Sequence, residues 1–135
     1  MPQIVWTEKF SVGYPEIDRQ HKEWIKIFNT AYDKMMSNDM NTISELGINA
    51  IQEMLDYAEK HFAFEEAYMK EIGYPQLAEH TQIHISFKVK LKKIHDDFQN
   101  GIRQLNSEIM KIVENWLVYH ILSEDQKYKK FTLSD

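Results

Sequence analysis

The chain has 135 residues, with 16 Lys plus Arg against 21 Asp plus Glu and a net charge of -5, a balance that argues against a nucleic-acid-binding surface. Cysteine is absent, so disulfides, thiolate metal sites and cysteine nucleophiles are excluded, and any transition-metal ligands must be His, Asp or Glu. This length suffices to bury the core of one domain, and 43% apolar residues with only 4 Gly and 3 Pro favour helix.

Residues 1–15 read as an irregular arm in which Val5, Trp6, Phe10, Val12 and Tyr14, closed by Pro15, pack their aromatics across the remainder. Polar and charged residues run throughout Met1 to Tyr14, which lacks the basic-then-apolar layout of a secretory leader. No apolar run approaches ~18 residues, so no membrane span is expected, and a soluble cytoplasmic protein is the default.

Four segments then show apolar recurrence at three and four residues. The first, from about Glu16 to Met36, carries Ile17, Trp24, Phe28, Ala31 and Met35 on one face. The second starts near Thr42, where Thr42-Ile-Ser-Glu45 suits a capping box, runs through Ile51, Leu55, Ala58, Phe62 and Met69, and stops at Gly73-Tyr-Pro75. The third, about Gln76 to Phe98, carries Leu77, Phe87, Leu91, Ile94 and Phe98 before Asn100-Gly101. The fourth, about Gln104 to Leu122, uses Leu105, Ile109, Ile112 and Trp116. The expected fold is all-α: one domain over 1–135, comprising an arm (1–15), an up-down-up-down antiparallel four-helix bundle (16–122) and a C-terminal turn and tail (123–135).

Five of the six histidines occupy or flank core-facing positions of those helices. Burying so many imidazoles costs free energy unless each finds a partner. His61 with Glu65 and His80 with His84 are four apart, hence within ~40° of each other on a helix, and each pair can present two ligands together. His120 and Asp125 are five apart, about 140° on a continuous helix, so Asp125 must come from a turn or distorted end. In an antiparallel bundle the starts of helices one and three lie beside the ends of two and four. His21, His61, Glu65, His80, His84, His120 and Asp125 therefore converge on one end of the interior.

One ion cannot use seven ligands from four helices, whereas two ions sharing carboxylates can. Two octahedral ions offer about twelve positions; five His, two bridging carboxylates and one bridging oxygen fill all but one. If His80, His84 and His120 serve one ion, the vacancy falls to the ion of His21 and His61. Imidazole with carboxylate suits iron, and also zinc, manganese or copper.

The chain resembles the hemerythrins, in particular their single-domain bacterial form, over nearly its whole length. The resemblance rests on Trp6 with the arm, Asp18-x-Gln20-His21, His61-Phe62-x-x-Glu65-Glu66-x-x-Met69, Gly73-Tyr74-Pro75, His80-x-x-x-His84 and His120-Ile121-x-x-x-Asp125-x-x-Tyr128. It implies two non-haem irons bridged by Glu65, Asp125 and an oxo or hydroxo group, with dioxygen binding at the iron held by His21 and His61. The implied role is reversible oxygen binding for storage, delivery or sensing, without catalytic turnover. The alternative is a di-iron oxidase, peroxidase or nitric-oxide-reducing enzyme on the same ligands. Imidazole-rich ligation disfavours oxygen cleavage, and the bound ligand needs a dry pocket, for which Trp24, Trp116 and Ile121 are the candidate walls. Both tryptophans serve equally well as plain core. His95 reads as a core imidazole satisfied by a backbone carbonyl. Glu66 points ~100° away from Glu65 and reads as surface or as support for a ligand. Tyr128 reads as a hydrogen-bonder near Asp125 or an anchor for the tail.

Overall fold

The structure is a computed structural model, described here for residues 3–37 and 43–133. It is an all-helical antiparallel four-helix bundle. A 3-10 turn at Glu8–Phe10 precedes α1 (Pro15–Ser37), α2 (Ile43–Glu71), α3 (Leu77–Gln99) and α4 (Ser107–Tyr119); a π-helical turn (His120–Glu124) then leads into α5 (Asp125–Leu133). No helix among the described residues is long and apolar enough to cross a membrane.

The helix ends follow from local chemistry. Pro15 occupies the first position of α1, where its missing N–H costs nothing and its fixed φ suits the helix. Asp18 then accepts hydrogen bonds from the Ser11 hydroxyl at 2.6 Å and the Val12 N–H at 2.8 Å, pinning the arm to α1. α2 ends with Gly73 at φ +73°, where the Tyr74 N–H reaches the Met69 carbonyl and the Gly73 N–H that of Lys70. α3 ends the same way at Gly101, φ +70°, with Ile102 bonded to Asp97 and Gly101 to Phe98. These are paired six-to-one and five-to-two closures that need a left-handed residue, and glycine adopts it without strain. Asn106 caps α4 by accepting the Ile109 N–H at 2.9 Å. Thr42 of the expected capping box lies outside the described residues.

Two expectations need correction. Where a C-terminal turn and tail were expected from residue 123, a π turn over His120–Glu124 runs straight into a helix over Asp125–Leu133. The interior face of α4 is also rotated from the one expected: Ile109, Met110, Val113 and Leu117 are buried, whereas Ile112 and Trp116 are half-buried on its flank. Every residue of that segment from Ile109 to Val113 other than Lys111 is apolar, so spacing alone did not fix which stripe lies at the centre.

The core is in two parts. A large cluster spans Trp24, Phe28, Ile51, Met54, Ala58, Phe62, Phe87, Leu91, Met110, Val113, Leu117 and Ile121, with Ile4 and Phe10 of the arm added. A smaller one at the other end joins Val12, Ile17, Met69, Tyr74 and Tyr128. On three of the helices a histidine or acid falls between a residue of one cluster and a residue of the other. His21 sits between Ile17 and Trp24, Glu65 between Phe62 and Met69, and Asp125 between Ile121 and Tyr128. A polar layer thus lies sandwiched between two apolar ones.

Candidate metal centre

All seven residues singled out from spacing lie in that layer, each at most 2% exposed. α1 supplies His21, α2 supplies His61 and Glu65, and α3 supplies His80 and His84 on successive turns. His120 opens the π turn and Asp125 follows it. The wider turn resolves the five-residue spacing: the Asp125 N–H bonds back to the His120 carbonyl, and its carboxylate comes round to 3.0 Å from His120 Nε2. Among the described residues His95 takes no part in the cluster; it is half-buried beside Ile94.

The donor atoms form two groups. Those of Glu65, His80, His84, His120 and Asp125 lie within 4.8 Å of one another, as do those of His21, His61 and Glu65. The carboxylates span the groups, each sending one oxygen to either side. Glu65 Oε2 lies 3.5 Å from His21 Nε2 and 3.4 Å from His61 Nε2, while Oε1 lies 3.2 Å from His80 and 3.0 Å from His84. Asp125 Oδ2 lies 3.1 Å from His21, while Oδ1 lies 3.1 Å from His80 and 3.0 Å from His120. Within each group ring nitrogens face one another: His21 and His61 at 3.0 Å, His80 and His120 at 3.2 Å, His84 and His120 at 3.1 Å. Each such contact is satisfied either by an N–H···N bond, one ring carrying its proton on Nε2, or by a cation between two inward lone pairs.

Electrostatics say the same. Burial opposes charge on His21, but the Asp125 and Glu65 carboxylates override it and raise the ring to about 9. His80 is raised to about 10 by the same contest between burial and the same two carboxylates, and His120 is also raised. His61 goes the other way, lowered by burial. Against their own burial, Glu65 and Asp125 are held below the ordinary carboxylate range by the surrounding imidazoles. Without metal the layer holds protons in place of cations. Glu65 Oε1 and both Asp125 oxygens are buried without a hydrogen-bond donor, a state that a cation relieves.

Three supporting contacts went unassigned in the sequence or were left open there. The His61 Nδ1–H donates to Gln20 Oε1 at 2.7 Å, and the His84 Nδ1–H donates to Glu66 Oε2 at 2.7 Å, so each ring presents Nε2 to the centre. Tyr128, fully buried, donates its hydroxyl to Glu65 Oε2 at 3.0 Å, where a bond near Asp125 or an anchor for the tail was expected, and it also packs in the smaller cluster. The ~100° offset of Glu66 from Glu65 was the available signal, since it turns that side chain towards α3. Gln20 stands in the motif Asp18-x-Gln20-His21, but no local spacing points to its partner 41 residues away.

Aromatic rings fix the imidazoles from the apolar side. Phe62 stacks on His84 with centroids 3.7 Å apart, Trp116 stacks on His120 at 4.4 Å, and Trp24 packs 5.4 Å from His61. Ile121 is fully buried beside His120. A cleft of about 270 Å³ lined by Arg19, Gln20, Glu23, Tyr57, Lys60 and His61 opens against the outer edge of His61.

The family defined as the hemerythrin HHE cation binding domain matches residues 12–131. The chain belongs to the hemerythrin family. Among its hemerythrin relatives, a bacteriohemerythrin of Stenotrophomonas maltophilia is 33% identical over 128 residues, covering 95% of this chain and 80% of that protein. A bacteriohemerythrin of Clostridium acetobutylicum is 32% identical, with 93% of this chain and 98% of the relative covered. Myohemerythrin-1 of Phascolopsis gouldii is 32% identical over 93% of this chain and 91% of its own. The crystal structure of a wild-type hemerythrin superposes with a TM-score of 0.85 at 27% identity, covering 95% of this chain and 96% of the other.

Proposed function

We propose that this hemerythrin binds dioxygen reversibly at a di-iron centre held by His21, His61, Glu65, His80, His84, His120 and Asp125, serving storage, delivery or sensing without turnover. The observation that carries the reading is the division of Glu65 and Asp125, each with one oxygen towards either histidine group, which is the disposition of carboxylates that join two ions. The donor set fits such a pair: five imidazoles with Nε2 inward, and three carboxylate oxygens without hydrogen-bond donors.

Iron held there, completed by an oxo or hydroxo group, would supply reversible electron donation to dioxygen. The chain's residues do the rest. His80, His84 and His120 would give one ion three imidazoles, whereas His21 and His61 would give the other two, so the position for a small ligand would fall on the second side. Trp24 and Ile121, both buried, and Trp116, half-buried against His120, would line the apolar side and limit the access of water to a bound ligand. Tyr128 holds Glu65 by its Oε2 atom, fixing the carboxylate between the two groups.

Aerobic spectroscopy of the iron-loaded protein tests the reading. A stable oxygenated species that reverts under vacuum supports it; rapid irreversible oxidation without an adduct, or steady turnover of peroxide or nitric oxide, goes against it. His61→Ala should remove one of the two irons and abolish oxygen uptake, and two tightly held irons with normal uptake in that variant would show the open metal to be misassigned.

A further inference from the structure

The two histidine groups differ in more than number. Behind His84 stands a carboxylate, Glu66 Oε2, at 2.7 Å; behind His61 stands a neutral amide oxygen, Gln20 Oε1, at the same distance. The Gln20 amide nitrogen is itself turned outward to Glu16 Oε1 at 3.2 Å. The Nδ1 atoms of His21 and His120 are buried without a partner. His84 in the larger group and His61 in the smaller are thus each held by a hydrogen bond from behind, and only behind His84 is the partner anionic.

We propose that the two metals enter in a fixed order, the first into the group of His80, His84 and His120, and that Glu66 and Gln20 set the gap between the two affinities. The inference rests on the two-metal reading above and deepens it. A carboxylate accepting the Nδ1–H pulls the proton towards itself and raises the electron density at Nε2, so His84 becomes the stronger donor. Its charge also lies closer to that ion than to the other. The neutral amide behind His61 fixes the ring without strengthening it as much. Pre-organisation runs in the same direction. Five residues converge within 4.8 Å in the larger group against three in the smaller. Phe62 lies flat on His84, with an interplanar angle of 2°, and Trp116 nearly flat on His120, at 11°. The first ion thus meets rings already in place, whereas the ion at His21 and His61 is left as the weaker, more exchangeable one. A hemerythrin built this way keeps its coordinatively saturated metal and loses its ligand-binding metal first.

Calorimetric titration of the metal-stripped full chain with Co²⁺ alone tests the order. The wild-type protein should show two binding steps, and His61→Ala should abolish the weaker. Glu66→Gln should weaken the tighter step by about 10–100-fold and spare the weaker, Glu66→Asp should restore most of the loss, and Gln20→Glu should tighten the weaker step. The order is overturned if Glu66→Gln leaves the tighter step unchanged, acts on the weaker step, or lowers both together. A wild-type chain that takes up only one ion overturns the two-metal reading itself, which separates that failure from this one.

Discussion

The two apolar clusters and the polar layer between them are built on opposite terms. Around Phe28, Leu91 and Met110 every buried side chain is satisfied by contact with its neighbours, and burial alone favours the fold. In the layer of His21, His61, Glu65, His80, His84, His120 and Asp125, burial is a cost, recovered only when charge is balanced inside it. The comparison teaches that the bundle can be stable because of its clusters and functional because of a layer that its clusters merely tolerate. Pairs of helices meeting through aliphatic and aromatic contacts above and below hold the imidazoles at separations they would not choose.

Substitutions on either side of that boundary should behave differently. The largest effect is expected from Glu65→Ala, which removes the carboxylate shared by both groups; elemental analysis should find neither metal retained, and thermal melting should lose the stabilisation that metal gives the wild type. Retention of one ion by that variant would break the idea of a single shared layer. Leu91→Ala, in the large cluster, should cost about 2–5 kcal/mol in chemical denaturation and cost the same with or without metal. A metal-dependent cost there would mean that the cluster and the layer are coupled.

A pH series sharpens the contrast without mutation. In the metal-free protein His21 and His80 are raised from the ordinary 6.5 to about 9 and about 10. A group whose folded value lies above its unfolded one contributes stability fully below the unfolded value and loses it as pH rises through the folded one. The melting temperature of the stripped chain should therefore fall between about pH 6.5 and pH 10, as the protons standing in for cations leave. The metal-loaded chain should show a much flatter profile over that window, because its imidazoles hold metal instead of protons. The smallest effect is expected far from the layer chemistry: Gly73→Ala forces a left-handed φ of +73° on a residue with a Cβ, costing about 1–2 kcal/mol in denaturant with metal content unchanged.

Most of the bundle was legible before the fold was known. Gly73 and Gly101 announced the two helix ends, because only a residue free to adopt positive φ closes them. The apolar stripe of α1, through Ile17, Trp24, Phe28, Ala31 and Met35, is buried as its spacing implied. The face of α4 was misjudged because consecutive apolar residues fit two neighbouring stripes, and the choice between them belongs to the helices packed against it. The helix after Asp125 was missed as well, since its charged sequence carries little apolar signal beyond Tyr128, Phe131 and Leu133.

The candidate site divides along the same line. Sequence alone determined which side chains share a helix face and which helix ends share an end of the bundle, because both follow from a fixed number of residues per turn and an antiparallel path. Tertiary structure alone decided that the distortion expected before Asp125 is a π turn, that Glu65 and Asp125 each face both ways, and that Glu66 and Gln20 stand behind different imidazoles. Those partners are 18 and 41 residues apart along the chain, and no local periodicity encodes a distance that only the packing of separate helices creates.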